Sequence, residues 1–173
     1  MKTMILFLFI GSLSICMSCC SFLFPDEKFS IQRADYNGNE LKFDGYYYRQ
    51  DTSGNTLILF LYRNGIILST RAYPSCDLDY VENIMVDEYD KIRKDKTRWG
   101  VFIVEYDKIE YEKWTTPTES ITVKKGIGYI ETDTTFRITE NYFSYNNKKY
   151  LVDEVYHFKQ FANKPDSTNN YIK

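Results

Sequence analysis

The chain has 173 residues, with 22 Lys and Arg against 24 Asp and Glu, and a formal net charge of −2. The charges are interspersed rather than gathered in blocks, which excludes the basic footprint of a nucleic-acid-binding protein. Sixteen tyrosines, twelve phenylalanines and two tryptophans favour β structure, because aromatic side chains suit pleated, half-buried surfaces.

The first residues have the pattern of a secretory signal peptide. Lys2 precedes the mostly apolar run "MILFLFIGSLSICM", which is shorter than the roughly twenty residues that a membrane-spanning helix needs. A short apolar run between a positive charge and small residues is typical of a segment that a signal peptidase removes. We therefore predict a signal peptide over residues 1–18, whose removal leaves 155 residues, enough for one domain.

Three of the four cysteines lie in "SICMSCC", directly after the apolar run. Cys16-Met17-Ser18 before Cys19 resembles the lipobox of bacterial lipoproteins, in which a small residue precedes the lipidated cysteine. The resemblance implies that Cys19 carries a diacylglycerol on its sulfur and a third acyl chain, such as palmitate, on its amine. Several acyl chains hold a protein firmly at a membrane. Plain secretion after cleavage and an uncleaved anchor are the alternatives.

The other two cysteines, Cys20 and Cys76, stay as thiols in this interpretation. A disulfide between them is chemically allowed in an oxidising envelope compartment, but it needs the tether to fold back onto the body. Two cysteines and the single histidine, His157, do not supply the closely spaced ligand pairs of zinc sites. No Walker-type or dinucleotide-type glycine loop occurs, so the sequence predicts no metal site and no cofactor.

Residues 19–40 are interpreted as the lipidated cysteine and a tether, with one short strand at "FSIQ", because they lack a sustained hydrophobic period. Strand-like runs begin at residue 41 with "LKFDGYYYR", "TLILFLYR" and "IILSTR". Asn64-Gly65 between the last two is a two-residue hairpin signal in which both positions need a positive φ.

One segment breaks the β pattern and predicts a helix over about 79–95. Asp79 and Glu82 have the spacing of a capping box, and basic residues close the segment, where the helix dipole favours cations. The apolar residues fall three and four apart, in one helical stripe: Val81, Ile84, Met85, Tyr89 and Ile92.

Strands resume at "WGVFIVEY" and continue to "EVYHFKQF", with turns at Asp107-Lys108, around Asp133 and at Asn146-Asn147. Short strands joined by tight turns indicate an antiparallel meander, which tends to close because closure removes exposed edges. We predict a mainly β barrel domain of about eight strands over residues 41–162 and a polar, frayed tail over 163–173.

Several of these stretches together resemble the small lipocalin-like lipoproteins of unknown function found in Bacteroides and its relatives. They are "FDGYYY", the helix insert, "WGVFIVEYDKIEYEKW", "GYIETDTTFRI" and "YHFKQF" followed by "KPDSTN". The resemblance covers about residues 41–168 and implies a lipocalin-like (calycin-type) barrel anchored to a bacterial membrane, the outer membrane in our interpretation. Surface-exported members usually carry acidic residues immediately behind the cysteine. Here Asp26 and Glu27 follow only after "CSFLFP", so we expect the protein to face the periplasm.

A barrel of eight strands can be filled by side chains or can hold one small ligand. The surplus of aromatic residues suits the wall of such a cavity, although packing in the core is the alternative use for each of them. The candidate ligand-binding residues, with Trp99 near the mouth, are Tyr47, Tyr62, Trp99, Phe102, Tyr111, Trp114, Tyr129 and Phe158.

Two functional hypotheses follow from these patterns. The first is a membrane-anchored lipoprotein that binds a small apolar or amphiphilic ligand inside the barrel. The second is a structural or assembly module that binds a partner protein or glycan of the cell envelope, which confinement to a membrane would favour. An enzyme is a third, weaker hypothesis: it would need His157 or a carboxylate pair, and the sequence predicts no catalytic residue.

Overall fold

A computed structural model describes residues 26–117 and 120–173, which form a closed barrel. Eight antiparallel strands follow one another around the barrel in chain order, and the first pairs with the last. The strands are β1 Gly45–Gln50, β2 Thr56–Leu61, β3 Ile66–Ser69, β4 Trp99–Glu105, β5 Lys108–Thr115, β6 Thr122–Thr132, β7 Thr135–Phe143 and β8 Lys148–Gln160. The one α-helix of the described ranges, α1, spans Leu78–Lys94 between β3 and β4. The predicted β-barrel with one inserted helix is confirmed.

Strands β7 and β8 are long. β7 runs without a break over Thr135–Phe143, and β8 runs over Lys148–Gln160. A register shift between Ile138 and Glu140 lets these long strands bend around the barrel without ending. The β2–β3 turn also differs in detail from its prediction, because only Gly65, with φ +75°, has the left-handed conformation.

The N-cap of the helix lies two residues before the one that the capping-box prediction gives. Asp77 is the N-cap, and its carboxylate accepts hydrogen bonds from the backbone N–H groups of Asp79 (3.0 Å) and Tyr80 (3.2 Å). The prediction for Asp79 and Glu82 was therefore wrong: Glu82 instead accepts a hydrogen bond from the Tyr46 hydroxyl at 2.6 Å. The predicted stripe does face the barrel, and its fully buried members are Val81, Met85 and Ile92.

The barrel wall separates two hydrophobic clusters. The inner cluster draws side chains from strands all around the barrel: Tyr47, Leu59, Leu61, Ile67, Phe102, Ile109, Tyr111, Phe136, Ile138 and Tyr156. The outer cluster lies between α1 and the outward faces of β1–β4 and includes Tyr46, Ile58, Phe60, Leu68 and Trp99. Strands β1–β4 therefore bury apolar side chains on both faces.

Residues 26–35, here called the strap, run along the outer face of β5. Glu112 of β5 is only 3% exposed. Its carboxylate accepts hydrogen bonds from the backbone N–H groups of Ser30 (2.6 Å) and Ile31 (3.1 Å) and from the Ser30 hydroxyl. The strap also covers Trp114, whose ring centroid lies 4.2 Å from that of Phe29. The described part of the predicted tether is thus packed against the barrel, and the strand predicted at "FSIQ" does not form.

Residues 36–44, here called the plug, close one end of the barrel. Tyr36 and Leu41 are buried in the inner cluster. The Tyr47 hydroxyl accepts a hydrogen bond from the Lys42 N–H and donates one to the Asp133 carbonyl, both at 3.0 Å. The opposite end, where the β1–β2, β5–β6 and β7–β8 connections lie, is here called the mouth.

The C-terminal tail packs on the barrel instead of fraying as its polar composition predicted. The Tyr62 hydroxyl donates a hydrogen bond to the Pro165 carbonyl at 2.8 Å. The Tyr171 hydroxyl donates one to the Lys94 carbonyl at the end of α1, at 2.6 Å. No helix within the described ranges is long and apolar enough to cross a membrane. The predicted signal peptide, Cys19 and Cys20 lie outside the described residues.

Candidate functional site

The barrel interior has an apolar half at the plug and a charged half at the mouth. The plug half is lined by aromatic side chains that contact one another, with ring centroids 5.0 Å apart for Tyr47 and Phe136 and 5.3 Å apart for Tyr47 and Phe158. Four charged side chains of the described residues lie on the inward face of the mouth half. Arg49, Lys113 and Glu154 each lie two positions along their strand from a tyrosine of the inner cluster. Lys124 of β6 is the register partner of Lys113.

Arg49 and Glu154 belong to one hydrogen-bond network. The Arg49 guanidinium lies 3.4 Å from a Glu154 carboxylate oxygen and donates through Nε to the Tyr156 hydroxyl at 3.2 Å. Asn141 donates through Nδ2 to the same carboxylate at 3.3 Å. The only inward-facing carboxylate of the described mouth residues is therefore balanced by Arg49.

The two lysines of the mouth half form no ion pair with a carboxylate of the described residues. Lys113 donates a hydrogen bond to the neutral Ser69 hydroxyl at 2.9 Å. Burial, together with the positive charge of Lys124, lowers the pKa of Lys113 to about 7. Burial also lowers the pKa of Lys124. Within the described residues Lys124 makes no hydrogen bond or ion pair, and its ammonium lies 5.7 Å from the centroid of the Phe143 ring.

Asn141 leaves a hydrogen-bond acceptor unused in this region. Its Oδ1 atom is buried and has no hydrogen-bond partner among the described residues. Reversing the amide would set this oxygen against the Glu154 carboxylate, so the hydrogen bond from Nδ2 fixes its orientation. Buried polar atoms are nearly always paired, and a ligand hydroxyl or a water molecule would satisfy this one.

Strand β6 contributes glycine to the inner wall beside these groups. A Cβ atom added to Gly126 would lie 2.3 Å from a ring carbon of Tyr111. The Tyr111 ring therefore lies directly on the β6 backbone, in space that the absent side chain leaves. Burial raises the pKa of Tyr111 well above its ordinary value, so its hydroxyl stays protonated.

Aromatic residues form the rim of the mouth on the β7–β8 side. The Phe143 ring centroid is 5.8 Å from that of Tyr145 and 5.6 Å from that of Tyr150. Both tyrosines are exposed, so the rim of the mouth beside β7 and β8 is aromatic.

Half of the predicted ligand-binding residues lie inside the barrel. Tyr47, Phe102 and Tyr111 belong to the inner cluster, and Phe158 packs against it.

The other four lie outside the barrel. Trp99 is buried beneath α1 and donates through Nε1 to the Arg93 carbonyl at 2.9 Å. Trp114 lies under the strap, Tyr62 contacts the C-terminal tail, and Tyr129 is exposed on the outer face of β6. Because the outer face is itself partly covered, aromatic character does not distinguish its residues from inward-facing ones.

The remaining chemically active residues do not form a second site. His157 is exposed on the outer face of β8, with its ring centroid 6.0 Å from that of Tyr48. Cys76 is exposed, has no disulfide partner among the described residues, and lies 3.4 Å from the Gly54 carbonyl oxygen. Across the described ranges, no three His, Cys, Asp or Glu side chains are grouped as a metal ion would need.

The fold and the site together define a closed, eight-stranded antiparallel barrel with an aromatic interior at one end and surplus positive charge at the other. Comparisons with protein-family models, with curated proteins and with solved structures found no match.

Proposed function

We propose that this protein is a lipid-anchored binding protein of the bacterial cell envelope that holds a small amphiphilic acid in its barrel. The observation that carries the proposal is the charge of the mouth half, where Arg49, Lys113 and Lys124 face one carboxylate among the described residues, that of Glu154. Removing cations from water without anionic partners is unfavourable. A bound carboxylate, sulfate or phosphate group would supply the missing negative charge.

The apolar part of the ligand would extend from the lysines toward the aromatic residues of the plug half. Tyr47, Phe136 and Phe158 offer ring faces and edges there. The free Asn141 Oδ1 would accept a hydrogen bond from a hydroxyl or amide beside the acid group. A polar head and an apolar body therefore match the two halves of the interior.

The experiment compares a fluorescent medium-chain carboxylic acid with its uncharged methyl ester. Lys124→Met should weaken binding of the acid by about 10- to 100-fold, because a hydrogen bond to a charged group contributes about 1.5–3 kcal/mol. The ester should bind the variant and the natural protein alike. Lys125→Met is the matched control: Lys125 is the next residue along β6, but it faces outward and pairs with Glu110 at 2.6 Å.

Equal loss of acid and ester binding in Lys124→Met would mean that the residue shapes the barrel without recognising charge. Failure of the natural protein to bind either probe, together with native mass spectra that show no co-purifying small molecule from its own host, would contradict the proposed function.

The anchor has its own test. Cys19→Ser should abolish incorporation of a fatty-acid probe, whereas Cys20→Ser should be labelled normally, since Ser18 still precedes an intact Cys19. Label that persists in Cys19→Ser would place the anchor elsewhere. For a periplasm-facing protein, protease added to whole cells should leave the barrel intact, and its digestion would indicate export to the surface.

A further inference from the structure

The β7–β8 hairpin, residues 143–151, exposes large apolar side chains at the mouth. Leu151 is 82% exposed, and Tyr145 and Tyr150 are 44% and 42% exposed. Tyrosine combines an apolar ring with a polar hydroxyl and is enriched where protein meets the interface of a lipid bilayer.

The charge of the hairpin suits an anionic membrane surface. It contains Lys148 and Lys149, both exposed, and no Asp or Glu. Lys149 pairs with Glu140 of β7 at 2.6 Å, which leaves Lys148 at the rim. Lysine beside an anionic lipid surface contributes about 1 kcal/mol of attraction.

The strap begins at this same hairpin. The Ser144 hydroxyl donates a hydrogen bond to the Glu27 carboxylate, which also accepts one from the Val123 N–H at 3.1 Å. Asp26 pairs with Lys96 at 2.5 Å, just before β4. The first described residues are therefore held at the mouth and not at the plug.

The distance from this point to the proposed anchor is short. Cys19 precedes Asp26 by seven residues, which can span at most about 25 Å when fully extended. A lipid on Cys19 thus keeps the mouth close to the bilayer, while the plug lies at the far end of the barrel.

We infer that the mouth faces the membrane and that the β7–β8 hairpin rests in the lipid interface, with Leu151 and the two tyrosines among the headgroups. This orientation rests on the proposed lipidation of Cys19. The bilayer that holds the anchor covers the exposed apolar surface, because the start of the strap and the exposed lysines lie at the same end of the barrel as the hairpin.

The test uses the full-length mature lipoprotein in vesicles of phosphatidylethanolamine and phosphatidylglycerol whose acyl chains are brominated. Leu151→Trp places a fluorophore on the hairpin. Tyr106→Trp is the matched control, because Tyr106 is 93% exposed in the β4–β5 turn at the opposite end. The native Trp99 and Trp114 are buried and provide the background. Flotation of the vesicles measures anchoring separately.

We expect both variants to float, and bromine to quench the added tryptophan of Leu151→Trp but not that of Tyr106→Trp. Adding Lys148→Glu and Lys149→Glu to Leu151→Trp should reduce the quenching without preventing flotation. Floating protein with no quenching of Leu151→Trp, or with equal quenching at both positions, would overturn the orientation and leave the anchor intact. Failure to float would overturn both. A single protein reproducibly crosslinked to residue 151 in intact cells, without quenching in vesicles, would assign the surface to a partner protein.

Discussion

Replacing Lys113 by Met should make the barrel more stable and less able to bind an acid. The Lys113 ammonium is partly buried, and its one hydrogen bond among the described residues goes to the Ser69 hydroxyl at 2.9 Å. Burial lowers its pKa from 10.5 to about 7. That difference corresponds to about 5 kcal/mol between the charged and neutral forms, an upper bound on the cost of keeping the cation in place. Solvent at the mouth reduces this cost, so we expect Lys113→Met to gain about 2 kcal/mol at pH 6.

The gain should depend on pH in a defined direction. Below pH 7, Lys113 is charged in both the folded and the unfolded chain, so the natural protein bears the full cost. Between pH 7 and about 10, the unfolded chain binds more protons than the folded one at this position, so the stability of the natural protein rises with pH. The advantage of Lys113→Met should therefore be largest at pH 6 and smaller at pH 9.

Urea unfolding followed by fluorescence of the two buried tryptophans measures this advantage at both pH values. Lys125→Met, which removes an outward-facing cation, should show no such pH dependence. The reasoning is refuted if Lys113→Met is less stable than the natural protein at pH 6, or if its advantage does not shrink by pH 9. The same variant should also bind the fluorescent acid more weakly than the natural protein does, whereas the two proteins should bind its methyl ester alike. A residue that serves binding often reduces stability in this way.

Two further predictions concern the wall of the barrel. Glu112→Ala removes the acceptor of three hydrogen bonds from the strap, so the free energy of unfolding should fall by about 3 kcal/mol and Trp114 fluorescence should shift to the red. Glu110→Ala, on the same outer face, is the control, and an unshifted spectrum in Glu112→Ala would show that the strap does not depend on this carboxylate. Gly126→Ala should cost about 1–3 kcal/mol by overpacking against the Tyr111 ring, as measured by thermal unfolding; a variant as stable as the natural protein would show that the ring moves freely.

The order of the strands could be predicted from the sequence because tight turns force neighbours in the chain to pair. Turn signals alone could not predict the number of strands, because a register shift near Ile138 lets β7 continue through a polar stretch. The helix could be predicted from its apolar stripe, but its N-cap could not. Asp77 and Asp79 are both acceptable caps by residue type, and only the path of the chain selects Asp77.

The faces of β1–β4 could not be assigned from the sequence because both are buried. "TLILFL" in β2 has no polar residue to mark an outward position beyond Thr56, which is itself buried. The charged site is absent from the sequence-based prediction because Lys and Arg in a strand usually indicate a solvent-facing position. Its signal was the period of two: Lys113 shares a face with Tyr111, and Arg49 shares one with Tyr47.

One continuous segment links the proposed anchor to both ends of the barrel. From Cys19 the chain reaches Glu27 at the mouth, passes Glu112 on the wall and ends in the plug at Tyr36. The plug end is closed by the hydrogen bonds of the Tyr47 hydroxyl, so the proposed ligand would have to pass through the mouth. If the anchor holds that end at the bilayer, the lysines lie next to the membrane. An amphiphilic acid is more concentrated in the membrane than in water, so its effective concentration at the mouth would be high. The surplus positive charge then lies where the acid groups of membrane lipids and fatty acids are exposed.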